Sequence, residues 1–114
     1  MTEMDVSAQE LSQRLSQGDG LILLDVRQPH EREYCKIVAP SANDLHIPMA
    51  EVPARVEEIR GAAGSNPVYV YCHHGVRSRM VAEWLASQGI AIVYNLAGGI
   101  DVWSRVIDSS VPRY

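Results

Sequence analysis

The 114 residues predict an α/β fold in which a central parallel sheet of about five strands is covered by helices on both faces. Two observations carry this expectation. Short apolar runs of strand length alternate with amphipathic segments of helical length, and the connections between them are brief and marked by glycine or proline. Continuous apolar strands belong to sheets buried on both sides, which need helices on each face. With 46% hydrophobic residues the chain can bury a real core, so residues 1–114 read as one domain, with no room for a second catalytic one.

The elements follow in order. Ser7-Ala8-Gln9-Glu10 has the capping-box pattern, Ala8, Leu11 and Leu15 form one apolar stripe, and Gly18 closes this first helix. Leu21 to Val26 is a buried strand, and Pro29 to Tyr34 a short helical turn with Pro29 at its first position. Leu45 to Ile47 reads as a short strand. Pro53 to Arg60 is a helix with Val52, Val56 and Ile59 on one side and Gly61 behind it. Val68 to Tyr71 is a strand, and the helix from about Arg77 to Gln88, ended by Gly89, carries Val81, Trp84 and Leu85 at helical spacing. Ile90 to Tyr94 is the next strand, and Gly98-Gly99 precedes a last helix bearing Ile100, Trp103, Val106 and Ile107. Asp108 to Tyr114 is expected to be an irregular segment on the surface.

Charge and cysteine content narrow the function. A formal net charge of −4 argues against general nucleic-acid binding, while Arg77 and Arg79 make one loop mouth locally positive, which suits a small anionic substrate. No apolar run approaches membrane-spanning length, and Met1 to Glu10 lacks a basic region followed by an apolar one, so the chain reads as soluble and cytoplasmic. The two cysteines, Cys35 and Cys72, stand in different contexts and suggest neither a disulfide framework nor a zinc site.

The most informative stretch is Tyr71-Cys72-His73-His74-Gly75-Val76-Arg77-Ser78. It puts a cysteine at the end of an apolar strand, facing the start of a helix, whose unpaired N–H groups and dipole favour an anion on the sulfur. Cys72 supplies a polarizable nucleophile, and Gly75 permits a turn that aims several N–H groups inward. Arg77 adds a planar donor fork suited to oxyanions, and Ser78 can cap the helix or hydrogen-bond the sulfur. In a parallel sheet ligands gather at the carboxyl ends of the strands, where this loop lies.

These residues resemble the rhodanese family of sulfurtransferases in its single-domain form, and the resemblance covers nearly the whole chain. Leu23-Leu24-Asp25-Val26-Arg27 with Pro29-His30-Glu31 is similar to the family's first signature, and Leu45-His46-Ile47-Pro48 to its middle one. Cys72 to Ser78 resembles its active-site loop, and Leu96-Ala97-Gly98-Gly99-Ile100-Asp101-Val102-Trp103 the Gly-Gly-Trp segment that follows. The resemblance implies that Cys72 takes a sulfane sulfur from a donor such as thiosulfate, becomes a persulfide and passes the sulfur to cyanide, a thiol or a partner protein. It implies substrate binding by His73, His74, Gly75, Val76, Arg77 and Ser78, with Arg77 attracting the donor's oxyanion, and no metal or organic cofactor. Related phosphatases place five residues between cysteine and arginine; here four separate Cys72 from Arg77, and Arg79 comes too late. One segment departs from the pattern: Lys36-Ile37-Val38-Ala39-Pro40-Ser41-Ala42 stands where the family has His-Ile-Pro-Gly-Ala, which bears on the acceptor surface.

Other conspicuous residues have plainer roles. Asp25, Arg27 and Glu31 read as a structural network near the site rather than as reacting groups. Adjacent residues such as His73 and His74 rarely converge on one metal ion, and no third ligand is evident, so they are expected to line the loop. His46 reads as a structural histidine, Trp84 and Trp103 as core or near-core residues, and Cys35 as a buried thiol with a resolving role left open. Two competing functions remain: a sulfur carrier loaded upstream and discharged only to a partner, and a phosphatase or arsenate reductase of the same fold.

Overall fold

The computed structural model describes residues 4–18 and 20–114. Five parallel strands, β1 (Asp5–Val6), β2 (Ile22–Asp25), β3 (Asn43–His46), β4 (Val68–Tyr71) and β5 (Val93–Leu96), form one sheet in the order β1-β5-β4-β2-β3. The helices are α1 (Ala8–Ser16), α2 (Pro29–Tyr34), α3 (Val56–Ala63), α4 (Val76–Ser87) and α5 (Gly99–Val106). The order places β4 at the centre, between β2 and β5, with the chain reversing its direction of winding between β2 and β4. The loop after β4 therefore opens at the switch point, where crevices form in such sheets.

Alternation along the strands divides the core in two. Ile22, Leu24, Val68 and Val70 face one layer with Ile59 of α3 and Val81 and Leu85 of α4. Leu23, Tyr69 and Tyr71 face the other, with Leu11 of α1 and Ile100 and Trp103 of α5. Neither face of β2 and β4 is left to water, which is why these inner strands read as apolar runs rather than alternating ones, while the edge strand β3, Asn43–His46, is polar and only partly covered.

The differences from the expected elements have local causes. Ile90 is buried but lies before the strand: Gly89, at φ +86°, turns the chain out of α4, and the Ile90 N–H returns to the Leu85 carbonyl at 3.2 Å. That is a glycine-terminated helix end whose following apolar residue packs back on the helix, so β5 begins only at Val93. Gly61 lies inside α3; the helix ends instead at Gly64, whose φ of +56° reverses the chain, while Pro53–Arg55 forms a separate 3-10 turn. β1 has only two residues, too few for a periodic signal, and is fixed by pairing with β5 at the sheet edge.

The terminal segment is irregular as expected, but it is not simply laid on the surface. Val111 is buried, its carbonyl accepts from the Ser104 hydroxyl, and Tyr114 folds back over the cysteine loop. Among the described residues no helix is long and apolar enough to cross a membrane.

Candidate active site

Cys72 follows β4, and its sulfur is the focus of the loop that leads into α4. The Sγ atom accepts from the Gly75 N–H at 3.1 Å and the Ser78 N–H at 3.3 Å, and the Ser78 hydroxyl lies 3.3 Å away. Gly75 takes φ +96°, a left-handed conformation that turns these N–H groups inward and that other residues adopt only with strain. The whole residue is only 1% exposed, so a substrate must deliver one atom end-on to the sulfur.

Helix α5 holds the loop from behind. The Ile100 N–H donates to the Cys72 carbonyl at 2.9 Å and the Asp101 N–H to the His73 carbonyl at 3.1 Å, so the otherwise unpaired donors of a helix start are used to fix the reactive segment. A side chain at Gly99 would overlap both of those carbonyl oxygens, and Gly99 also sits at φ +61°. Gly99 is thus required by a close approach of backbone to backbone, whereas a side chain at Gly98, at φ +79°, would run into the Val102 side chain.

A buried ionic network lies on the other side. Arg27 is fully buried and engages both carboxylate oxygens of Asp25 at 2.9 and 2.8 Å, the Cys35 carbonyl at 2.6 Å and the Tyr114 hydroxyl at 3.0 Å. Burial alone would lower its pKa, but the bonds to Asp25 raise it above the ordinary arginine value. Glu31 accepts both terminal nitrogens of Arg77, at 2.7 and 2.9 Å, the Gln28 N–H at 3.0 Å and the Tyr114 hydroxyl at 2.8 Å. The Arg77 bonds, against the cost of burial, hold its pKa at about 2. The pKa of Arg77 rises for the same reason.

Arg77 is engaged within the protein. Its donor fork is committed to Glu31, 46 residues earlier in the chain, so an incoming oxyanion would have to compete with a bidentate carboxylate. Arg77 ties α4 to α2 and so braces the loop.

The sequence carries no signal for Tyr114, because nothing in an irregular tail marks a contact with a residue as distant in the chain as His73. Its ring stacks on His73 at 3.8 Å and 7°, and burial pushes its hydroxyl up to about 12. His73 is stacked on its other side by His74, also at 3.8 Å, and burial followed by the neighbouring His74 lowers its pKa. The third metal ligand missing from the sequence does exist nearby: Asp101 lies with His73 and His74 so that one ligand atom from each falls within 4.8 Å of the others. However, the two rings stack rather than converge, and the Asp101 oxygens face Arg105 at 3.4 Å and Arg113 at 3.2 Å. Val76 is 71% exposed at the loop rim.

A cysteine cradled by backbone donors at the switch point of a parallel sheet defines an α/β protein with a preformed thiol site. The chain belongs to the rhodanese-like family, whose domain matches residues 7–106. It is 36% identical over 101 residues to a sulfurtransferase of Allochromatium vinosum, covering 89% of this chain and 88% of that protein. It is 39% identical over 83 residues to the thiosulfate sulfurtransferase GlpE of Coxiella burnetii, covering 73% and 71%. A rhodanese-like domain protein of Staphylococcus aureus superposes with a TM-score of 0.77 at 26% identity, covering 96% and 97%.

Two expectations follow. Gly99→Ala should displace the Cys72 and His73 carbonyls and lower both the melting temperature and the reactivity of Cys72; a variant with unaltered melting and thiol reactivity would contradict the tight approach of α5. Because the folded pKa of Glu31 lies below the usual carboxylate value, its contribution to stability is complete above about pH 5 and fades as pH falls toward 2. The stability gap between wild type and Glu31→Gln, measured by urea unfolding, should therefore shrink across that window; a gap independent of pH would show that the charge on Glu31 is not what stabilises.

Proposed function

We propose that the protein is a sulfurtransferase that carries sulfane sulfur as a persulfide of Cys72, from a small anionic donor such as thiosulfate to cyanide, a thiol or a protein acceptor. The observation that carries this reading is the convergence of the Gly75 and Ser78 N–H groups on one sulfur atom, across a loop of four residues between Cys72 and Arg77. A cradle closed on a single sulfur fits a terminal sulfur delivered end-on better than a tetrahedral phosphate, which needs the longer loop. Sulfurtransferases among its relatives support the same chemistry.

In the first step the Cys72 thiolate attacks the outer sulfur of thiosulfate. A bond forms from Sγ to that sulfur, the donor's S–S bond breaks, and sulfite departs with the electron pair. The charge passes to the outer sulfur of the new persulfide, where N–H groups of the loop stabilise it without reorganising. In the second step the acceptor attacks the outer sulfur, the Sγ–S bond breaks, and the Cys72 thiolate is regenerated. Each half is an ordinary displacement at sulfur, and no cofactor is required.

The test is direct. Incubation with thiosulfate or polysulfide should add the mass of one sulfur, about 32 Da, to the peptide containing Cys72, and an acceptor should remove it. Cys72→Ser should lose both steps while melting normally. Sulfur found only on Cys35, or faster turnover of a phosphoester than of thiosulfate, would overturn the proposal; loading without turnover by small acceptors would identify a carrier instead. Because Arg77 is held by Glu31, Arg77→Ala should lower kcat/KM by a similar factor for thiosulfate and for an uncharged organic persulfide. A loss confined to thiosulfate would restore Arg77 as the oxyanion's partner.

A further inference from the structure

Behind Cys72 runs a buried chain of polar groups, Ser78, Asn95 and Asp5. Asn95, at the carboxyl end of β5, is 2% exposed, and the Asp5 side chain on the neighbouring β1 is 7% exposed. The Asn95 Nδ2 group donates to Asp5 Oδ1 at 2.9 Å and to the Gly75 carbonyl at 3.2 Å. A carboxylate and a carbonyl can only accept, so the amide orientation is fixed and Oδ1 must face Ser78, whose hydroxyl lies 2.5 Å away. The same hydroxyl lies 3.3 Å from Cys72 Sγ. It therefore stands between two groups that want its single proton, an amide oxygen that cannot donate and a sulfur that can.

We propose that Asn95 holds the Ser78 proton at rest and is thereby a positioning residue that sets the charge state of Cys72. With that proton on the Asn95 side, the Ser78 oxygen offers the sulfur a lone pair, which accepts an S–H but repels a thiolate. Ionisation of Cys72 sends its proton to solvent and obliges the hydroxyl to rotate toward Sγ, leaving the buried Asn95 oxygen without a donor. In a persulfide the negative charge lies on the outer sulfur, Sγ is uncharged, and the hydroxyl returns to Asn95. The relay thus disfavours the bare thiolate relative to both the thiol and the sulfur-loaded form, confining the reactive anion to the moment of transfer. The persulfide half rests on the sulfur-transfer reading; the thiol half holds whatever the substrate.

Asn95 acts here through Ser78, and that dependence is testable. Among the described residues, the charged or titratable groups around the site include Arg77 held by Glu31, Asp5 with Arg79 at 3.8 Å, His73 stacked between His74 and Tyr114, and Asp101 at the start of α5. Disturbing Asp5 by altering Asn95 affects the sulfur equally with or without the Ser78 hydroxyl, so it cancels when the two backgrounds are compared. The thiolate fraction is read at a fixed, mildly acidic pH from its ultraviolet absorbance, each protein against its matched Cys72→Ser form, with circular dichroism confirming the fold.

Asn95→Ala, and Asn95→Leu, which fills the amide's space, should raise that fraction roughly three- to tenfold, the scale of one freed hydrogen bond. Neither should raise it in a Ser78→Ala background, and Ser78→Ala alone should not lower it. An unchanged or smaller fraction in the Asn95 variants, or an equal rise without the hydroxyl, overturns the proposal. If both Asn95 variants fail to fold, Ser78→Ala decides alone: a fall in thiolate would show that the hydroxyl already serves the sulfur. No sulfur donor enters the measurement, so failure of the relay and failure of the sulfurtransferase reading are separate results.

Discussion

The Arg27 guanidinium, wholly withdrawn from water, cannot be left unpaired, and the way its donors are satisfied fixes the positions of three separate segments. Asp25 at the end of β2 neutralises it, the Cys35 carbonyl after α2 takes a nitrogen, and Tyr114 brings in the terminal segment. Withdrawing such a charge from water costs several kcal/mol unless its partners are well placed, so the arrangement is nearly all-or-none. Tyr114 passes the constraint on to Glu31, and Glu31 to Arg77 at the start of α4. A charge buried on one side of the sheet end thereby braces the loop on which the sulfur depends.

The loop itself is held by backbone contacts more than by side chains. Gly75 aims N–H groups at Cys72 Sγ, and the first N–H groups of α5 hold the carbonyls of Cys72 and His73. Backbone dipoles fixed in this way need no rearrangement when charge moves along a sulfur–sulfur bond. Side chains tune the surroundings: Ser78 and Asn95 behind the sulfur, and the stacked rings of Tyr114, His73 and His74 beside it. Both His73 and Tyr114 are shifted by burial toward their neutral forms, which suits a stack of rings in close contact.

What the sequence determined by itself was whatever is written in short-range pattern. The apolar run of Val68 to Tyr71, the cysteine after it and the amphipathic segment from about Arg77 are neighbours in the chain, so a strand, a loop and a helix could be placed, and Cys72 with them. Gly98 and Gly99 could likewise be seen to open α5, although not that a side chain at Gly99 would collide with the cysteine loop. Tertiary structure alone decided the choice of polar partners. Arg77 could have met a substrate or a carboxylate, and it pairs with Glu31; Asn95 falls just past the strand read at Ile90 to Tyr94, and lies behind Ser78; Tyr114 reads as tail, and covers His73. Hydrophobic periodicity encodes which face of an element is buried, but a hydrogen bond depends on where two distant segments come to rest within a few tenths of an ångström. Only the packed sheet and its helices set that distance.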